Sequence, residues 1–253
     1  WFGKPGGWRR YQRVVDRPTS PQTIPETLNW DLWVGPAPMQ NFHPCYHPHD
    51  WHYWWDFGNG TLGNMGCHYM DLIFWSLNLQ YPTTVETKGP ELHPDSTPFW
   101  LDCHWQFPAR GSMPPVEVIW SHGRNTPQAV LDLGGPDWAA GILFVGESGM
   151  LAADYNKRIL MPEEKYVGFK PPEKSIPDAI GNHRMEWYEA CKGNGKTLCH
   201  FDYAAPLTET ILLGNLAFRV GKKVEWDAEA MQVVNAPEAA KYLQREYRSG
   251  WTL

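Results

Sequence analysis

The chain has 253 residues with 22 basic against 28 acidic side chains, for a formal net charge of -6, and no block of like charges. That balance excludes the basic footprint that a nucleic-acid backbone or an anionic membrane surface needs. The length suffices for one sizeable hydrophobic core without disulfide staples, and no apolar run nears the roughly 18 residues that span a bilayer.

Residues 1–50 are rich in Pro, Gly and aromatics (WFGKPGGWRRYQ, then DRPTSPQTIPETLNWDLWVGPAP, then HPCYHPH). Repeated prolines remove N–H donors and restrict the residue before each, so this segment reads as a connecting arm with one short helix at PETLNWDLW. Residues 51–253 read as the main domain. From Thr61 to Leu79 apolar residues recur at helical spacing until Tyr81-Pro82 stops the run, which predicts a helix.

The period then changes. TTVETKG, FWLDCHWQF, PVEVIWSHG, GILFVGE, GMLAAD and RILMP read as strands, and GESG as a hairpin turn. Residues 162–180 read as a Pro- and Lys-rich loop. Helices follow at NHRMEWYEACKG, DYAAPLTETILLGNLAFRVG and APEAAKYLQREY, with VEWD as a short strand before the last. Grouped strands with helices segregated from them predict an α+β fold: a large open, mainly antiparallel sheet with helices packed on one face.

Five cysteines without C-x-x-C spacing predict reduced, mostly buried thiols in place of a disulfide or zinc framework. The chain opens on Trp1, which points to a processed or partial sequence.

Gly58, Gly60 and Gly63 spell G-x-G-x-x-G ahead of the first helix, with Glu86 further on where a ribose contact would be sought. A dinucleotide loop would follow an aliphatic strand buried on both faces. Here the preceding run is HDWHYWWDF, whose histidines, acids and tryptophans do not suit that place. The alternative is that the glycines allow a tight entry into the helix.

On that helix Asn64, His68 and Asp71 share one polar stripe. A histidine between an amide and a carboxylate is a candidate general base, because its pKa lies near neutrality and a neighbour can fix its tautomer. The plainer reading is a core histidine satisfied by Asp71, and a metal shared with His47 or His183 is a third. Trp51, Tyr53, Trp54, Trp55 and Phe57 cluster just before the helix. Such rings suit the C–H face of a sugar, and equally suit filling a seam.

The runs PETLNWDLWVGPAP, YHPHDWHYWWDFGNGTLGNMGCHYMDLIFWSL, VGESGMLAAD and NHRMEWYEACKGNGKTLCHFDYAAPLTETILLGNLAFRVGKKVEWD together resemble the C-terminal part of bacterial Gfo/Idh/MocA oxidoreductases. The resemblance implies that GNGTLGNMGCHYMD leads into and along the first helix of the sheet domain, where the family pattern is G-x-G-x-x-x-D-x-G-x-H-x-x-D. It further implies a Rossmann domain upstream of Trp1, or on a partner subunit, that holds NAD or NADP. This chain alone would then bind no cofactor and have little activity of its own.

By the same resemblance His68 matches the catalytic histidine, and Asn64 stands where the family usually has aspartate. Trp54, Trp55, Asp56, Asp71 and His183 complete the candidate substrate contacts, and no metal is expected. The family's Glu-Lys-Pro lysine has no counterpart in these residues.

The expected function is the substrate domain of an NAD(P)-dependent sugar or polyol oxidoreductase, homo-oligomeric through its open sheet face, in a bacterial cytoplasm or periplasm. Two alternatives remain at this stage: a non-redox carbohydrate-binding or partner-assisting domain, and a cofactor-free sugar lyase or hydrolase using His68.

Overall fold

The computed structural model describes residues 2–3 (backbone only), 16–174 and 182–252. Along the chain run β1 (Phe2–Gly3), α1 (Trp30–Val34), α2 (Gly60–Leu77), β2 (Thr84–Lys88), β3 (Leu101–Phe107), β4 (Val116–His122), α3 (Gln128–Asp132), β5 (Ala140–Gly146), β6 (Gly149–Ala153) and β7 (Arg158–Met161). Then come α4 (His183–Cys191), α5 (Phe201–Val220), β8 (Val224–Asp227), β9 (Gln232–Val233) and α6 (Ala240–Leu243). The strands form one nine-stranded sheet in the order β7-β6-β5-β1-β4-β3-β2-β8-β9. Every pairing is antiparallel except β1 with β4. The fold is the α+β architecture that the alternating strands predict.

The period-2 pattern decides which face is covered. Along β3, Leu101, Cys103, Trp105 and Phe107 are buried while Asp102, His104 and Gln106 are only partly so, and Val118 and Trp120 of β4 join the buried set. Onto these residues pack α2, through Leu62, Met70, Ile73 and Phe74, and α5, through Leu207, Ile211, Leu213 and Phe218. Each large side chain so buried contributes about 1.5–3 kcal/mol. Gly214 is where α5 comes closest: a Cβ there would sit 2.8 Å from Leu62 and 2.9 Å from both Cys103 and Trp105. Trp105 Nε1 donates to Thr210 O at 2.8 Å and Thr87 Oγ1 to Gly214 O at 2.9 Å, so the sheet grips the helix backbone. On the opposite face Glu117 accepts from Gln106 at 2.8 Å and lies 3.0 Å from the His104 ring, a polar comb across β3 and β4.

The arm builds a second, smaller core from Trp30, Val34, Ala37, Phe42, Tyr46 and Trp54. Trp30 stacks on Trp33 with centroids 4.6 Å apart, and Trp54 meets Tyr46 edge-on at 5.0 Å. The tail clamps it: Arg248 donates to Asp31 Oδ1 at 2.7 Å and through Nη2 to Gly35 O at 3.0 Å.

Several expectations need correction. APEAAKYLQREY yields only a 3-10 turn at Pro237–Ala239 and the four-residue α6, because the chain from Gln244 extends to reach the arm. The cysteines are unpaired as expected, but only Cys103 is buried; Cys45 is half-buried and Cys67, Cys191 and Cys199 are exposed. β1, α3 and β9 escaped the sequence reading because each is five residues or fewer, too short for a period to register. Most of WFGKPGGWRRYQ and residues 175–181 of the Pro-rich loop lie outside the described residues.

Candidate active site on helix α2

Among the described residues from 16 onward no strand leads into the glycine motif; a 3-10 turn at Asp50–Tyr53 does. The three glycines are occupied by protein. A Cβ on Gly58 would lie 2.4 Å from His52 Cα, one on Gly60 2.7 Å from Thr97 Oγ1, and one on Gly63 2.4 Å from Asn59 Cβ. Gly60 also has φ +64, which a side chain disfavours. These positions serve helix entry and close packing, so this motif leaves no room for a dinucleotide pyrophosphate.

Helix α2 buries Leu62, Gly66, Tyr69, Met70, Ile73 and Phe74. Gly66 lets Ile211 of α5 approach to where a Cβ would be 2.9 Å away. The other side of the helix carries Asn64, Cys67, His68, Leu72 and Trp75, all exposed. His68 is therefore a surface imidazole and not a core histidine. Among the described residues no hydrogen bond or ion pair joins it to Asn64 or Asp71. Asp71 is half-buried and held elsewhere: Tyr203, in the first turn of α5, donates to Asp71 Oδ1 at 2.7 Å and lies 3.0 Å from Asp71 O. Burial, and then the bond to Asp71 and its charge, push the Tyr203 phenol well up from its ordinary range. Tyr155 packs on Tyr69 with centroids 5.2 Å apart, and its phenol is raised by burial and then by the charge of Asp71. Although Cys67 is exposed as a residue, desolvation around its sulfur also raises the thiol, which makes it a poor nucleophile at neutral pH.

The remaining sequence candidates fall elsewhere. Trp54 is 1% exposed in the arm core, its Nε1 donating to Cys45 O at 3.2 Å, so its ring offers no face to a ligand. Trp55 is half-buried, donates to His93 O at 3.2 Å and carries the Arg219 guanidinium 4.8 Å from its ring centre. Asp56 accepts from Gln40 at 3.2 Å and pairs with Arg17 at 2.7 Å. It lies in a cleft of about 320 Å³ walled by Trp33, Trp51, Phe57 and Arg245. That cleft was not legible in the sequence, because Arg245 is 189 residues from Asp56. His183 is exposed at the first position of α4, behind its Asn182 cap. Among the described residues no hydrogen bond or ion pair joins it to His68. Among the described residues no three His, Cys, Asp or Glu side chains are arranged to hold a metal ion, and no helix is long and apolar enough to cross a membrane.

Comparison with known proteins places this geometry in context. Residues 6–130, which include all of α2, match the family model described as "Oxidoreductase family, C-terminal alpha/beta domain", of the Gfo/Idh/MocA group. No match to a curated protein was found. Similar solved structures include a candidate dehydrogenase from Bordetella bronchiseptica RB50, at 15% identity and TM-score 0.40, with 67% of this chain and 55% of that chain covered. Another is a candidate oxidoreductase from Thermotoga maritima, at 16% identity and TM-score 0.38, with 75% of this chain and 52% of that one covered. The chain thus spans about half the length of either. The matched segment, residues 6–130, is thus similar to the C-terminal alpha/beta domain of the Gfo/Idh/MocA oxidoreductase family.

Proposed function

We propose that this chain supplies the substrate side of an oxidoreductase acting on a CH–OH group of a sugar or polyol, with NAD or NADP held outside the described residues. The observation that carries this reading is the state of His68: an exposed imidazole on a rigid helix, one turn from a carboxylate that is already engaged. An exposed imidazole with no carboxylate bound to it has a ring nitrogen open to accept a proton from a substrate hydroxyl. Asn64, one turn earlier, can donate a hydrogen bond to a neighbouring hydroxyl, but its neutral amide does not offset the charge of the imidazolium that forms. The match of residues 6–130 to an oxidoreductase family model supports the redox class.

The test is turnover of a panel of sugars and polyols with each dinucleotide by the chain joined to its dinucleotide-binding domain, comparing wild type with His68→Ala. Loss of about 10²–10⁴ in rate at unchanged melting temperature is expected; a variant at wild-type rate would end the role of His68. Asn64→Asp should raise the rate by stabilising the imidazolium. If sugars bind calorimetrically but neither dinucleotide supports turnover, the domain is a non-redox carbohydrate binder instead.

A further inference from the structure

Asp71 and His68 are three residues apart on α2, a spacing at which side chains are neighbours on the helix surface and a carboxylate ordinarily pairs with a cation. In this structure the carboxylate turns to α5. Tyr203 Oη gives its single hydrogen to Asp71 Oδ1 at 2.7 Å and also lies 3.0 Å from the Asp71 carbonyl. The tyrosine is fixed at its base: Tyr203 N donates to His200 O at 3.0 Å, and α5 is held against α2 by Ile211 at Gly66 and by Asn215, which donates to Asn59 O at 2.8 Å. The ionisable groups facing Asp71 are Tyr203 from α5, Tyr155 from the turn between β6 and β7, and Cys67 on α2 itself. No charged side chain from another element is paired with His68 among the described residues.

We infer that Tyr203 is a positioning residue: by engaging Asp71 it keeps the carboxylate from pairing with His68, and so decides which side chain the carboxylate serves. The sign follows from charge. A carboxylate drawn to His68 stabilises the imidazolium, raises its pKa and shifts the pH range in which the ring acts as a base upward. A phenol partner removes that pull, because the hydrogen bond orients Asp71 away and disperses its charge. The catalytic meaning rests on the proposed role of His68, but the coupling among the three side chains can be measured without any substrate.

The experiment follows the His68 ring protons by NMR across a pH titration of the full chain. In Tyr203→Phe, which keeps the ring packing and removes only the hydroxyl, the His68 pKa should rise by about half a unit or more as Asp71 is released. Adding Asp71→Asn in that background should return it to the wild-type value. Asp71→Asn alone should move it by less than about 0.3 unit, since the remaining interaction is between solvent-screened groups. An unchanged His68 pKa in Tyr203→Phe overturns the inference. So does a clear fall in Asp71→Asn alone, which would mean that Asp71 already serves His68; this arm decides the matter even where the phenylalanine variant fails to fold. Failure here leaves the turnover test of His68→Ala untouched, and failure of that test leaves this coupling standing.

Discussion

The two cores of this protein are held by different means. Between the sheet and helices α2 and α5, most backbone groups pair with one another in ladders and helical turns, and most side chains fill space, with Trp105 and Thr87 adding bonds to helix carbonyls. In the arm, where proline prevents ladders, the carbonyls are met by side chains: Trp30 Nε1 donates to Gln40 O at 2.7 Å, Trp54 Nε1 to Cys45 O at 3.2 Å, and Arg248 to Gly35 O. A buried carbonyl left unpaired costs about 1–3 kcal/mol, so an indole in the arm has two duties where a leucine in the main core has one. Aromatic richness there follows from the shortage of backbone partners.

The largest effect should come from Trp105→Ala. It empties a site that is 0% exposed and removes the indole's bond to the Thr210 carbonyl, for a loss of about 3–5 kcal/mol in urea unfolding of the whole domain. Trp54→Ala removes the same side chain from the arm. Its effect should be confined: faster amide exchange across residues 30–57, with the amides of β3 and β4 still protected. If both substitutions unfold the sheet together, the two cores are one cooperative unit and the contrast fails.

A pH test sharpens the contrast from the side of the main core. His122 is 2% exposed at the end of β4, and its Nδ1 accepts from Trp120 Nε1 at 2.7 Å, which requires the neutral ring. Burial lowers its pKa to about 3 from 6.5. Below pH 6.5 the unfolded chain therefore binds a proton that the folded chain refuses. Stability present above 6.5 is lost as pH falls towards 3, by no more than a few kcal/mol. His122→Gln, whose amide oxygen can still accept from Trp120, should flatten that slope in unfolding measured at successive pH values. An unchanged slope would assign the acid sensitivity to other groups.

The smallest effect expected is that of Arg248→Ala, about 1–2 kcal/mol, seen as faster exchange at Asp31 to Ala37 without a change in the main transition.

The legibility of the two regions differs in the same way. Helix α2 and strands β2 to β7 were readable, because burial on one face imposes a period on the residues that pack there; Leu101, Cys103, Trp105 and Phe107 announce their face. The hairpin at Glu147 and Ser148 was readable from its glycines, and α4 from the run NHRMEWYEACKG, with Asn182 capping the helix. The arm was readable only as irregular. Its core depends on Arg248 meeting Gly35 and on Trp54 bridging Ser96, contacts between distant residues that no local pattern encodes. At the candidate site the stripe of Asn64, His68 and Asp71 followed from helical spacing, but its internal pairing did not. Tyr203 is 132 residues from Asp71, and nothing near either residue signals the other.

By itself, the sequence determined the class of fold, the helix that bears His68 and the non-nucleotide character of its glycines, since each is a matter of local period or of what can be buried next to it. Tertiary structure alone decided which side of α2 faces solvent and to whom Asp71 gives its charge. A carboxylate chooses its partner by distance and desolvation, and both are properties of the packed chain.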